Sequence, residues 1–364
     1  MVFIGGPRQV GKTFLALSLL SPKSSSETHP SYMNWDDLKD RKLLLRGELP
    51  AKQKLIVLDE IHKFKKWRNL VKGFYDKHKS ETSFLITGSA RLDYYRKGGD
   101  SLQGRYHYYR LHPFTLGELQ NTGDGKDLLP VLMQYSGFPE PFLKQNQRAH
   151  GRWQRERLER VLYQDLRDLE NIKEVSLIEL LLEHLPVCVG SPLSIKSLKE
   201  LIEVSHASVE RWIQILERLY VCFRIAPYGA PKIRAVKKEQ KLYFWDWTQV
   251  EEPGARFENL VASHLLKYCH YLEDTQGHRM ELRYIRDIDK REIDFVVLKN
   301  KNPLFAVECK TGEARGNRVH HYFRERTKIP KFFQVHLGKK NTGNENTDVR
   351  ILPFDLFCKE LNLP

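Results

Sequence analysis

Uninterrupted apolar runs mark the first third of the chain: Val2 to Ile4, Leu55 to Leu58 and Phe84 to Ile86. Runs without period-two alternation belong to strands covered on both faces, as in a parallel sheet. Between the first two lies Phe14 to Leu20, apolar at helical spacing, and the alternation of strand and helix patterns continues to about Phe114, so an α/β unit with a parallel sheet is predicted over residues 1–120. Beyond Pro113 the pattern turns helical, through Leu128 to Gln134 and Trp153 to Asp168, predicting a helical lid over 121–190 that starts from a linker near Asn121 to Gly125. Ser194 to Ile202 and Val209 to Leu219 then carry apolar residues three and four apart around a short turn, Val204 to Ser208. With strand-like Cys222 to Ala226 and Lys241 to Trp245, this third segment, 191–250, looks like a winged helix. The last segment, 251–364, reads as helix (Phe257 to Leu266), three strands (Arg279 to Ile285, Glu292 to Leu298, Pro303 to Lys310), helix (Asn317 to Thr327) and strand (Phe332 to Leu337).

Chemistry enters at the end of the first strand. Gly6, Gly11, Lys12 and Thr13 stand at the spacing of a phosphate-binding loop, between an apolar strand and a helical run. Glycines let the backbone approach an anion, the helix N-terminus offers N–H groups, Lys12 reaches the β- and γ-phosphates of ATP, and Thr13 offers a hydroxyl to Mg2+. The second strand ends in Asp59 and Glu60, positioned to hold Mg2+ and to orient an attacking water. The third ends near Gly88 and Ser89, where Ser89 is placed to sense the γ-phosphate; Arg105, after Gly104, is a candidate arginine finger. The Ser-rich stretch Ser21 to Glu27 reads as a surface loop.

These residues are carried in stretches, Gly5 to Thr13, Tyr32 to Asp37, Leu58 to Lys63, Ile86 to Ala90, Leu102 to Arg105 and Leu111 to Glu118, that resemble the bacterial and archaeal AAA-type ATPase family described as ATP-binding proteins with a C-terminal domain of unknown function. The resemblance continues through Leu158 to Leu166 and covers most of the chain. It implies an ATPase that uses Mg2+. Such proteins have a few tens of residues ahead of the loop, where adenine contacts often lie, whereas this sequence begins on the strand.

In the last segment, alternation puts Glu308 and Lys310 on one face of a strand, where Asp294 from the neighbouring strand joins them. Two carboxylates and a lysine are what a Mg2+-dependent phosphodiesterase requires. The order of elements resembles the PD-(D/E)xK nuclease superfamily, which implies Glu258, Asp294 and Glu308 as metal ligands and Lys310 beside the reacting water. The same residues also fit a binding module that does not cut.

Composition narrows the partners. Sixty Lys and Arg against 46 Asp and Glu give a net charge of +14, which favours a polyanion, and nucleic acid, DNA above all, is the natural one. The second helix of the winged-helix-like segment offers Glu210, Arg211, Gln214 and Glu217, a mixed set that suits domain packing as well as groove reading. Five widely spaced cysteines suggest neither disulfides nor zinc and read as reduced cytoplasmic thiols; no apolar run is long enough to span a membrane. His62, His206 and the pair His320 and His321 lack metal-site spacing and are expected at the surface or in caps, while Trp245 and Trp247 are expected in the core. Together these features predict an ATP- and Mg2+-dependent ATPase that binds or cuts DNA, a homo-oligomer if Arg105 acts in trans. The alternative is a nucleotide switch or scaffold that captures a protein partner.

Overall fold

A computed structural model describes residues 1–21, 27–88, 102, 104–120, 127–165, 174–229, 239–312, 318–341 and 349–364. The Ser-rich loop at 22–26, Ser89 and the linker at 121–125 lie outside them. The chain divides into two units, Met1–His112 with Arg218–Tyr220, and Pro113–Glu217 with Val221–Pro364.

The first unit follows the alternation of its sequence. Its elements are β1 (Val2–Gly5), α1 (Lys12–Leu20), β2 (Tyr32–Asn34), α2 (Leu38–Leu45), β3 (Leu55–Asp59), α3 (Trp67–His78), β4 (Ser83–Thr87) and β5 (His107–Arg110). The strands form one parallel sheet ordered β2-β3-β4-β1-β5. Side-chain alternation splits its core between the two faces. Phe3, Ile56, Leu58, Phe84 and Ile86 pack with Trp67, Val71 and Phe74 of α3 on one side, and Ile4, Val57 and Leu85 pack with Ala16 and Leu17 of α1 on the other. Register sets Asn34 beside Asp59, Asp59 beside Thr87, and Thr87 beside Ile4, so the polar strand ends share one edge.

The second unit starts with helices: α4 (Leu116–Gln120), α5 (Leu129–Tyr135), α6 (Pro139–Lys144), α7 (Gln147–Arg160), α8 (Val175–His184), α9 (Ile195–Ile202) and α10 (His206–Arg218). Then come β6 (Cys222–Pro227), β7 (Lys241–Phe244), α11 (Pro253–Gln276), β8 (Met280–Arg286), β9 (Glu292–Lys299), β10 (Asn302–Lys310), α12 (Arg318–Arg326), β11 (Phe332–His336), β12 (Val349–Pro353) and α13 (Phe354–Glu360). Helix α11 begins where the Glu252 carboxylate accepts from the Gly254 and Ala255 N–H groups and Pro253 presets the first turn, and it stops at Gly277, whose φ of 70° terminates the helix.

All seven strands form a single mixed sheet ordered β12-β11-β10-β9-β8-β6-β7, so the β6–β7 hairpin predicted as the wing of a separate segment, 191–250, is continuous with the sheet of 251–364. The join is parallel pairing of Ala226 and Pro227 with Arg283 and Tyr284 of β8. The helical pair has an internal partner as well: buried Arg224 of β6 reaches Glu210 at 2.9 Å and Glu217 at 2.8 Å, which engages both acids of α10. Trp245 and Trp247 are buried as expected, but so are His62 and His320, which replaces their predicted surface or cap roles.

Candidate functional site

The loop between β1 and α1 has a backbone that demands its glycines. Gly6 has φ 139°, and a Cβ there would lie 2.2 Å from the Leu111 carbonyl oxygen. Gly11, at φ 97°, is the residue before α1 and has no side chain with which to cap it, and a helix N-terminus presents N–H groups that suit an anion. Lys12 is buried; its Nζ donates to the carbonyls of Gly6 (3.0 Å) and Pro7 (2.6 Å), folding the ammonium over the loop.

Asp59, at the end of β3, gathers three hydroxyls from three elements. It accepts from Thr13 Oγ1 of α1 (2.8 Å), Tyr32 of β2 (2.8 Å) and Thr87 Oγ1 of β4 (2.5 Å). Burial, reinforced by the Asp59 charge, raises the pKa of Tyr32 and keeps its hydroxyl a donor. Glu60 adopts a left-handed backbone, φ 55°, rare for a residue with a side chain, and its N–H donates to the Thr87 carbonyl at 3.1 Å. Burial raises the Glu60 pKa against the opposing pull of Lys63, whose Nζ is 3.4 Å away; His62 Nε2 lies at 3.6 Å. The loop, Lys12, Thr13, Asp59 and Glu60 therefore come together at one sheet edge. Arg105 has its Nε 3.2 Å from Asp76 of α3, an intramolecular partner, and Ser89 is not described. Sequence reading missed Tyr32 and Thr87 as members of this cluster, although both lie within stretches that carried the resemblance.

A second polar cluster forms in the seven-stranded sheet. The Asn259 side chain exchanges hydrogen bonds with both backbone groups of Phe244, 2.8 and 2.7 Å, which pins α11 to β7 and sets Glu258 against that strand. Asp294 Oδ2 accepts from the Cys309 N–H at 2.8 Å, and Lys310 Nζ contacts Glu308 Oε1 at 2.6 Å. Asp294, Glu308 and Lys310 lie together here, and Glu258 stands beside Asp294. Among them sits Lys241, the first residue of β7. Lys241 is fully buried, with Nζ 2.5 Å from Glu292, 3.1 Å from Glu258 and 3.5 Å from Asp294. Burial alone would lower its pKa, but the carboxylates of Glu258, Asp294 and Glu292 outweigh burial and hold it above the ordinary lysine value. The Tyr243 hydroxyl donates to Glu258 at 2.7 Å. Burial, with the nearby Asp294 charge, raises the pKa of both Glu258 and Glu308, and Glu308 Oε2 is buried with no hydrogen-bond partner among the described residues.

Among the described residues no group of three or more His, Cys, Asp or Glu is disposed to hold a metal ion, and the Lys241 ammonium lies within 3.1 Å of Glu258 and 3.5 Å of Asp294. The signal was present in the sequence: a lysine opening the apolar strand Lys241 to Trp245 has to find carboxylates once buried.

The first cluster and its parallel sheet define a phosphate-loop nucleotide unit, and comparison with known families places it. Residues 1–120 match a family described as an AAA domain, and the N-terminal unit is an AAA domain. Residues 126–248 and 253–357 each match a domain of unknown function, DUF8612 and DUF4143, so an AAA domain is joined here to a C-terminal domain of unknown function. Over 367 aligned positions the chain is 22% identical to the uncharacterized protein MJ1544 of Methanocaldococcus jannaschii, covering 92% of this chain and 80% of that protein. No helix among the described residues is long and apolar enough to cross a membrane.

Proposed function

We propose that this protein binds and hydrolyses ATP with Mg2+ at the loop of its AAA domain, and that its second unit binds DNA. The observation that carries the first part is the 2.8 Å bond between Thr13 Oγ1 and Asp59 Oδ2, because it joins the two groups that would hold Mg2+ beside a buried lysine and a helix that starts after Gly11. These donors fit the ion: a hydroxyl and a carboxylate, both oxygen ligands. The ion held there would supply positive charge to offset that on the phosphates. Lys12 exchanges its two backbone carbonyls for phosphate oxygens, and Gly6 lets the loop turn close against the Leu111 carbonyl. Tyr32 and Thr87 hold Asp59 in place. Glu60, made more basic by burial, orients the attacking water.

DNA binding is supported by α7. Arg148, Arg152 and Arg155 stand at i, i+4 and i+7, hence on one helical face; all three are exposed, and none has an ion-pair partner among the described residues. On the opposite face Arg157 is buried over the Phe138 and Trp153 rings at 4.4 and 5.7 Å, so α7 has a packed side and an unpartnered cationic side. Exposed, unpaired arginines along a helix fit a phosphate backbone better than a protein surface of mixed charge.

Turnover by purified protein, beside Lys12→Ala and Asp59→Asn, tests the hydrolytic part. Each substitution is expected to lower ATP turnover by about 100-fold or more. Turnover by either variant within a few-fold of wild type would sink the assignment.

A further inference from the structure

We infer that Lys241 is a built-in cation that takes the place of a divalent metal in the carboxylate cluster, so that the C-terminal domain works without a metal ion. The inference rests on that cluster alone and stands or falls independently of ATP hydrolysis.

Four carboxylates converge here, Glu258 from α11, Glu292 and Asp294 from β9, and Glu308 from β10. A hard dication would need their oxygens free. They are not. Glu258 Oε1 already accepts from Lys241 and from Tyr243. Asp294 Oδ1 lies 3.5 Å from Lys241 Nζ, while Oδ2 accepts from the Cys309 N–H. Glu292 is shared between Lys241 at 2.5 Å and Arg286 at 2.9 Å, and Glu308 is paired with Lys310 at 2.6 Å. Three cations, Lys241, Arg286 and Lys310, thus face four carboxylates, and one retained proton makes the cluster neutral. A dication added to it would be repelled by the ammonium at its centre.

Nor is Lys241 a free arm. It opens β7, paired with β6 so that Lys241 lies opposite Ile225, and makes an antiparallel bridge to Pro192. Three positions on, Phe244 is held by Asn259, the neighbour of Glu258. The strand that carries the ammonium and the helix that carries its first partner are therefore locked together. A fully buried lysine is stable only when carboxylates surround it, and these carboxylates supply that environment. A cleft of about 360 Å³ adjoins the cluster, lined by Gly190, Ser191, Glu252, Glu258, Lys310 and Thr311. It is a place for a ligand, beside a centre that already has its positive charge.

Mn2+ titration of nucleotide-free full-length protein, read by electron paramagnetic resonance, tests this in wild type, Asp294→Asn, Lys241→Met and the Lys241→Met/Asp294→Asn double variant. Wild type and Asp294→Asn are expected to take up Mn2+ identically. Lys241→Met is expected to gain a site about tenfold or more tighter than any in wild type, and the double variant to lose it. Mn2+ uptake by wild type that Asp294→Asn abolishes would overturn the inference, as would folded Lys241→Met that binds no more than wild type. Should Lys241→Met fail to fold, the wild-type and Asp294→Asn pair decides alone: equal uptake supports the built-in cation and an Asp294-dependent site refutes it.

Discussion

His264 shows what a single buried side chain commits the protein to. Its Nδ1 lies 2.8 Å from the Leu260 carbonyl and its Nε2 accepts from the Leu116 N–H at 3.0 Å, so both ring nitrogens are satisfied only in the neutral form. Burial lowers its pKa to about 3. A folded-state pKa below the unfolded value near 6.5 means that the unfolded chain takes up a proton the folded chain refuses. Its contribution is therefore complete above pH 6.5 and is lost as pH falls from there toward 3. Between pH 7 and pH 5 this one residue is expected to remove about 2 kcal/mol of stability. Urea unfolding of wild type and His264→Gln at several pH values checks it: the variant should be less stable at pH 7 and less sensitive to acid, and parallel pH profiles would refute the assignment. Single residues differed in how legible they were. Gly6, Lys12, Thr13 and Asp59 could be read because phosphate chemistry fixes both their types and their spacing. Tyr32, Thr87 and Lys241 could not, since each acquires its role from a partner that only the folded sheet brings near.

Elements follow the same division. The first unit was legible because its apolar runs are local and continuous, and a buried parallel sheet is nearly the only structure that covers both faces of such strands. The placement of the β6–β7 hairpin was not, because its pairing with β8 joins Ala226 to Arg283 across a long stretch of chain, and alternation within a strand says nothing of which strand lies beside it. Two small contacts stabilise that placement. Asn259→Ala removes both hydrogen bonds that fasten α11 to Phe244 and leaves the buried backbone groups of that residue without this partner. It is expected to cost about 2–4 kcal/mol, measured by chemical denaturation, and to loosen the approach of Glu258 to Lys241. A cost under about 0.5 kcal/mol would mean that β7 is held by its strand pairing alone. The mixed charges of α10 likewise acquire a meaning only in the fold: Glu210 and Glu217 face Arg224, which gives both acids of this helix an internal partner.

At the scale of the whole molecule the charge is decisive. A net charge of +14 predicts affinity for any polyanion, but it does not say where the polyanion lies, and a diffuse excess would make every lysine and arginine contribute a little. The α7 stripe makes a sharper claim. Arg148, Arg152 and Arg155 rise about 6 and 10 Å along one face at 1.5 Å per residue, a reach comparable to neighbouring phosphates of a duplex. Each phosphate contact contributes about 0.9 to the slope of log affinity against log salt for double-stranded DNA. Replacing all three by Gln is therefore expected to reduce that slope by about 2 to 3, far more than their share of the 60 basic residues. The control is a triple replacement of exposed basic residues in the first unit, Lys65, Lys66 and Lys77, which removes the same formal charge. If binding is directed by α7, that control leaves the slope nearly unchanged while the arginine variant flattens it. Equal losses from both would mean that the basic excess acts only as a diffuse field, and the DNA-binding face assigned to α7 would be wrong.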